Sequence, residues 1–176
     1  MTSKSEDGRA AAAAEADAGG GQYLTFQSAG EAFGVAIAVV KEIIQFGAVT
    51  QVPLVPAFIR GVINLRGAVV PVIDLNLRFG RGESTPGKKT CIVIVETEQD
   101  GGLQDIGIMV DAVSEVVDIP DVDMAPPPRF GAGVRADFIR KVGKVGGRFV
   151  MIIDVPRALS VETLAGLDLV AAAEAA

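Results

Sequence analysis

The sequence predicts an all-β protein of barrel or sandwich class, built from two similar units. Three observations carry this. Short segments alternate large apolar residues with small or polar ones, the period of half-buried strands. Glycine and proline punctuate these segments at close spacing. The chain also repeats two blocks of sequence in the same order.

Residues 1–21 contain Ala10–Ala14 and Gly19–Gly21 and no large apolar side chain after Met1. Such a stretch cannot bury enough surface to offset its ordering entropy, and a disordered tail is expected there. Leu24 and Phe26, then Phe33, Val35 and Ile37, alternate as strands. Val49–Val52 reads as a strand before a turn at Pro53 and Pro56. Val62–Leu65 and Ala68–Leu75 read as a hairpin closed by Arg66-Gly67, and Pro71 inside the second arm suggests an edge or a bulge. Thr90–Thr97, Leu103–Val110, Val113–Ile119 and Arg148–Val155 continue the pattern. From Pro156 a short C-terminal helix is expected, with proline in its first turn. Residues 166–176 are biased toward alanine and read as a second tail.

Phe58-Ile59-Arg60-Gly61-Val62 recurs eighty residues later as Phe138-Ile139-Arg140-Lys141-Val142. At that offset, residues 57–74 match 137–154 at eight of eighteen positions. Phe33–Ile44 is echoed by Ile106–Val117 at an offset of 73. The implied units are about 22–82 and 88–160. Each alone would be marginal, so a shared hydrophobic interface is expected. The repeat also exposes an asymmetry. One hairpin tip reads Asn64-Leu65-Arg66-Gly67 and its twin Lys144-Val145-Gly146-Gly147. An arginine where the twin has glycine is a candidate contact residue, and a surface salt bridge to Glu42 is the plain alternative.

Composition removes many chemistries. The chain has 16 Lys+Arg, 22 Asp+Glu, no His, no Trp and one Cys, for a net charge of -6. Without histidine there is no Ser-His-Asp or Cys-His catalysis, nor histidine phosphotransfer. With Cys91 alone there is no internal disulfide or Cys-rich metal site, and Cys91 reads as a small buried hydrophobe. Acidic charge and 5% aromatics argue against a nucleic-acid partner. No phosphate-cradling loop occurs, and Ser84 and Ser160 read as loop or cap residues. Asp118, Asp121 and Asp123 sit beside Pro126–Pro128 in an apparent loop, a poor setting for acid/base work or a metal. Apolar runs such as Cys91–Val95 fall far short of the roughly 20 residues of a membrane helix, and the polar start has no signal-peptide core. No enzyme activity, cofactor, metal or membrane insertion is expected, and the location expected is cytoplasmic. Such a protein works by offering surfaces to partners.

Pro56-Ala-Phe-Ile-Arg-Gly-Val-Ile-Asn64-Leu-Arg-Gly67, followed by Val70-Pro71-Val-Ile-Asp74-Leu75, resembles the signature of the CheW family of chemotaxis coupling proteins. Further similarity lies in Gln22–Phe26, Phe33-Gly34-Val35, Val40–Ile43, Val110–Val116 and Phe149–Asp154. The resemblance spans about 22–160 within an expected CheW-like domain of 22–165. It implies two SH3-like five-stranded β-barrel subdomains packed on a shared core. It also implies an adaptor that couples the cytoplasmic tips of transmembrane chemoreceptors to the regulatory domain of the CheA histidine kinase, and controls that kinase in arrays. By position, Val40, Glu42 and Arg66 match receptor-contact places on or near the groove between the barrels. Phe130 matches a contact used where couplers and kinase domains alternate in rings. Two departures stand out: Ala125 where some members carry arginine, and Lys141 where many have glycine. A coupler of a non-flagellar output is the nearest alternative, and a β-barrel ligand-binding module or a hydrolase using the acidic loop are more distant ones.

Overall fold

Apolar alternation and tight turns shape the first strands. In the computed structural model, which describes residues 21–99, 102–127 and 138–159, β1 (Gly21–Ser28) and β2 (Glu31–Ala36) bury Leu24, Phe26, Phe33 and Val35. The chain then forms β3 (Val40–Gln45), β4 (Ile59–Leu65), β5 (Ala68–Asp74) and the single helical turn α1 (Leu75–Arg78). The second half supplies β6 (Cys91–Gln99), β7 (Gly102–Val110), β8 (Ala112–Ile119), β9 (Met124–Ala125), β10 (Ile139–Val145), β11 (Arg148–Ile153) and α2 (Val155–Ala158). These strands form two sheets and two SH3-like subdomains.

The sheets do not follow the contiguous halves 22–82 and 88–160 expected from the repeat. One sheet has the order β3-β6-β7-β5-β4 and the other β8-β1-β2-β11-β10-β9. Each barrel therefore takes its leading hairpin from the opposite half of the chain. The exchange is reciprocal and keeps register: β5 runs parallel to β7 with Val72 opposite Gly107, and β11 runs parallel to β2 with Ile152 opposite Gly34. Closure is matched too. Thr50 and Val62 exchange two backbone hydrogen bonds of 2.9 Å, and Ala125 pairs with Val142, the twin of Val62.

Other expectations shift for local reasons. Ile37 belongs to a 3-10 turn, Ile37–Val39, rather than to β2. Val49–Val52 contributes only the Thr50–Val62 bridge. Pro71 is neither on an edge nor in a bulge, because β5 lies between β7 and β4. Val62 spends its N–H and C=O on Thr50, so its pairing with Pro71 asks for no donor there. The parallel ladder to β7 begins one residue later, at Val72. The bulge lies opposite, between Ile59 and Gly61. A Cβ on Gly61 would fall 2.1 Å from the Thr50 carbonyl oxygen, which fixes glycine there. Its twin Lys141 occupies the matching irregularity of β10, and in that barrel the close approach moves to Gly143, against Ile119. The C-terminal helix begins at Val155, one residue before Pro156, and runs to Ala158; residues 160–176 lie outside the described residues, as do 1–20.

Among the described residues three apolar clusters result. Val70, Val72, Ile92, Ile94 and Met109 fill one barrel, and Tyr23, Ala36, Ile119, Val150 and Ile152 the other. A larger cluster joins the barrels and includes Phe26, Phe33, Phe79, Phe138, Ile153 and Leu159. Beside it the half-buried Arg78 guanidinium lies 4.5 Å from the Phe58 ring and 4.4 Å from that of Phe138, which are twins of each other. Arg78 Nε donates to the carbonyl oxygen of Ala158, its own twin, at 2.7 Å.

Fragments 1–86 and 87–176 should each fail to fold, since each lacks the hairpin that completes its barrel. Mixed in equal amounts they should regain the native far-UV circular dichroism spectrum. Arg78→Ala should cost about 1–2 kcal/mol in urea unfolding, from two partly exposed cation–π contacts and a part-buried hydrogen bond. Arg78→Lys should recover less than half of it, lacking the planar guanidinium.

Candidate partner-binding surface

The β4–β5 hairpin turns on Arg66-Gly67, with φ of +53° and +88°. Both residues are left-handed, as a two-residue type I′ turn requires. Gly67 N–H donates to Asn64 Oδ1 at 2.9 Å, which gives Asn64 a structural role in the turn. The twin turn, Gly146-Gly147, has φ of +55° and +80° and meets the same geometry with two glycines. Placing arginine at the first position costs about 1 kcal/mol relative to glycine.

Local interactions at most balance that. Arg66 reaches Glu42 at 3.3 Å, with side-chain exposures of 81% and 27%. A pair this open to solvent is worth about 0–1 kcal/mol. The alternative of a surface salt bridge is thus realised, yet it is too weak to account for the residue. What Arg66 does is present a guanidinium at the rim of the first barrel.

Glu42 lies on β3, two residues after Val40, which is half-buried and packs against the cluster joining the barrels. The structure therefore brings Arg66 and Glu42 into contact and places Val40 at the edge of the shared core. Ile43 on β3 and Val69 on β5 add exposed apolar surface. Lys41 pairs with Asp105 at 3.0 Å and Glu96 at 3.6 Å, fastening β3 to the β6–β7 hairpin. The hydrogen bond to Asp105 is the main cause holding the Lys41 ammonium above its ordinary pKa. The stabilisation is complete below the unfolded lysine range and is lost only as the pH rises through the higher folded value. Chemically the surface offers apolar area and a charged rim.

Other residues singled out by sequence have structural settings. Asp74 is fully buried; its carboxylate accepts from Asn76 N at 3.0 Å, Leu77 N at 3.4 Å, Ser84 N at 3.0 Å and Ser84 Oγ at 2.6 Å. It caps α1 and ties down the following loop, so Ser84 is a loop anchor. Cys91 is half-buried at the edge of the shared core. Asp118, Asp121 and Asp123 are exposed, and no group of three or more metal-ligating side chains occurs among the described residues. Ala125 closes the second barrel, while Phe130 lies outside the described residues. Arg78 was invisible as a keystone in the sequence, where nothing announces its two ring partners. An open cleft of about 650 Å³ between the 46–60 segment and Leu77–Glu83 is crossed by the Arg60–Glu83 ion pair; Val40, Glu42 and Arg66 do not line it.

The CheW-like domain model matches residues 22–163. The chain belongs to the CheW family. It is 32% identical to the chemotaxis protein CheW of Klebsiella aerogenes over 152 residues, covering 86% of this chain and 89% of that one. It is 31% identical to FrzA of Myxococcus xanthus over 126 residues, covering 72% of this chain and 76% of that one. Its fold matches the crystal structure of the scaffolding protein TtCheW from Thermoanaerobacter tengcongensis, with a TM-score of 0.72 and 35% identity over 81% of this chain and 94% of that one. The chain is thus a chemotaxis adaptor of the CheW type, a family of non-enzymatic scaffolds. No helix among its described residues is long and apolar enough to cross a membrane.

In this CheW-family chain, Arg66→Gly should leave the melting temperature unchanged or raise it by a few degrees, because relief of the left-handed arginine, about 1 kcal/mol, offsets the exposed pair. Differential scanning calorimetry reads this directly.

Proposed function

We propose that this coupler bridges the cytoplasmic tips of chemoreceptors and the regulatory domain of the CheA histidine kinase, within membrane-associated receptor arrays in the cytoplasm. Val40, Glu42 and Arg66 form the receptor side. The observation that carries this reading is Arg66 in a left-handed backbone at a hairpin tip whose twin has glycine. Backbone strain kept at an exposed residue whose local contacts at most balance it is characteristic of binding sites. A helical receptor tip would lay an apolar stripe along the half-buried Val40 at the edge of the groove, and the Arg66–Glu42 pair would set its register. Phe130 is assigned to the contact with neighbouring kinase domains.

The test is isothermal calorimetry with two partners, a receptor-tip fragment and the cognate kinase regulatory domain. Arg66→Gly and Val40→Ala should weaken receptor binding at least about tenfold and leave kinase-domain binding unchanged, with circular dichroism confirming the fold. Unaltered receptor affinity in both variants would remove these residues from the contact. Absence of saturable kinase-domain binding by the unaltered protein would overturn the bridging role itself.

A further inference from the structure

The first strand in each sheet's order, β3 and β8, carries the same irregularity. In β3, Val40 pairs with Val95 and Glu42 with Ile94, so Lys41 is an extra residue. In β8, Val113 pairs with Phe26 and Val116 with Leu24, which sets Ser114 and Glu115 against Thr25 alone. These are twin positions, since Val40–Ile43 matches Val113–Val116 at the offset of 73. Each is a bulge, two residues against one.

The bulge in β3 decides what the candidate surface presents. Residues paired directly across a ladder point to the same face of the sheet. Val40 and Ile43 stand opposite Val95 and Val93, both members of the cluster joining the barrels. Glu42 stands opposite Ile94, which fills the first barrel. A strand of strict period two would send residues three apart to opposite faces. The extra residue lets Val40 and Ile43 share one face while Glu42 takes the other, where it meets Arg66.

The two bulges are held differently. Buried Thr25 fastens that of β8 through its hydroxyl, which donates to the Glu115 carbonyl oxygen at 2.8 Å and accepts from the Glu115 N–H at 3.2 Å. Ile94 takes the place of Thr25 in the first barrel and has no such group to offer. There the bulged residue makes the attachment itself. Lys41 Nζ lies 3.0 Å from Asp105 Oδ2 and 3.6 Å from Glu96 Oε2. Those two carboxylates face each other directly across β6 and β7, where like charges repel, and the ammonium between them offsets the repulsion. Glu96 adjoins Val95, the partner of Val40, so the attachment sits beside the bulge.

We infer that Lys41 is a positioning residue for receptor binding: its ion pairs with Asp105 and Glu96 hold the β3 bulge, which aligns Val40 with Ile43 and sets Glu42 beside Arg66. Lys41 acts through these neighbours and does not touch the receptor. The inference rests on the receptor reading of Val40, Glu42 and Arg66. Its twin, Ser114, carries no charge because the second bulge has Thr25.

Two readouts on the full chain test this: hydrogen exchange of the β3 backbone amides by NMR, and calorimetric affinity for the receptor-tip fragment. Lys41→Met and the double variant E96T/D105T, which keeps the lysine, should each speed exchange around Glu42 and weaken receptor binding at least about threefold. Kinase-domain binding should not change. Combining all three substitutions should weaken receptor binding no further than Lys41→Met alone. Lys41→Arg, which can span both carboxylates, should keep the affinity of the unaltered chain. Normal receptor binding by E96T/D105T beside weakened binding by Lys41→Met would make the lysine a direct contact and overturn the positioning role. Unchanged exchange in both variants would overturn it as well. Normal binding by both while Arg66→Gly is impaired would sink the inference and leave the receptor reading standing. Normal binding by Arg66→Gly and Val40→Ala too would sink the receptor reading, and this inference with it.

Discussion

Reciprocal exchange of the leading hairpins is the constraint on which the rest of the molecule depends. Because β1–β2 completes the barrel of the second half and β6–β7 that of the first, neither barrel exists without the other half. Burial follows the same logic. Among the described residues the cluster joining the barrels holds twenty buried side chains, against five in each interior. Most of the hydrophobic stabilisation therefore lies in the joint, where it fixes the orientation of the two barrels. Arg78 fastens the joint at its margin, between twin phenylalanines and against the carbonyl of its own twin. Val40, at the edge of the joint, inherits that rigidity.

The repeat, the strands and the Asn64–Gly67 hairpin were legible in the sequence because each is a local pattern. The exchange was not. A hairpin such as Leu24–Val35 has the same alternation whichever barrel receives it, and only the shared aromatic joint decides between the two arrangements. Pro71 misled for a related reason: proline bars a donor, but whether a donor is needed depends on Val62 being occupied by Thr50. Of the site, the Arg66–Gly146 contrast was visible by comparing halves, and Glu42 was named as its partner. The left-handed backbone that gives the contrast its energetic meaning is a property of the turn.

Pseudo-symmetry also separates scaffold from surface. Asp74 and Asp154 both cap a helical turn, and their backbone N–H groups donate to the carbonyl oxygens of Phe58 and Phe138 in the same way. Such matched pairs belong to the fold. Gly61 and Lys141, Arg78 and Ala158, Arg66 and Gly146, and Val69 and Phe149 break the match. The first two breaks serve closure and the joint, since their environments are internal. The last two are exposed, and neither improves the packing of its own barrel.

An exposed arginine normally loses much of its side-chain freedom when a partner captures it, at a cost of about 0.5–1.5 kcal/mol. At Arg66 part of that ordering is built in beforehand. The left-handed turn fixes the direction in which the side chain leaves the backbone, and Glu42 lies 3.3 Å from its far end. The strain of the turn is carried by the free protein, where the large shared core absorbs it easily. In the proposed receptor contact, binding would meet a guanidinium already standing at the rim. A glycine turn with arginine placed elsewhere would be more stable and less prepared, and the contrast between the two hairpins follows from that difference.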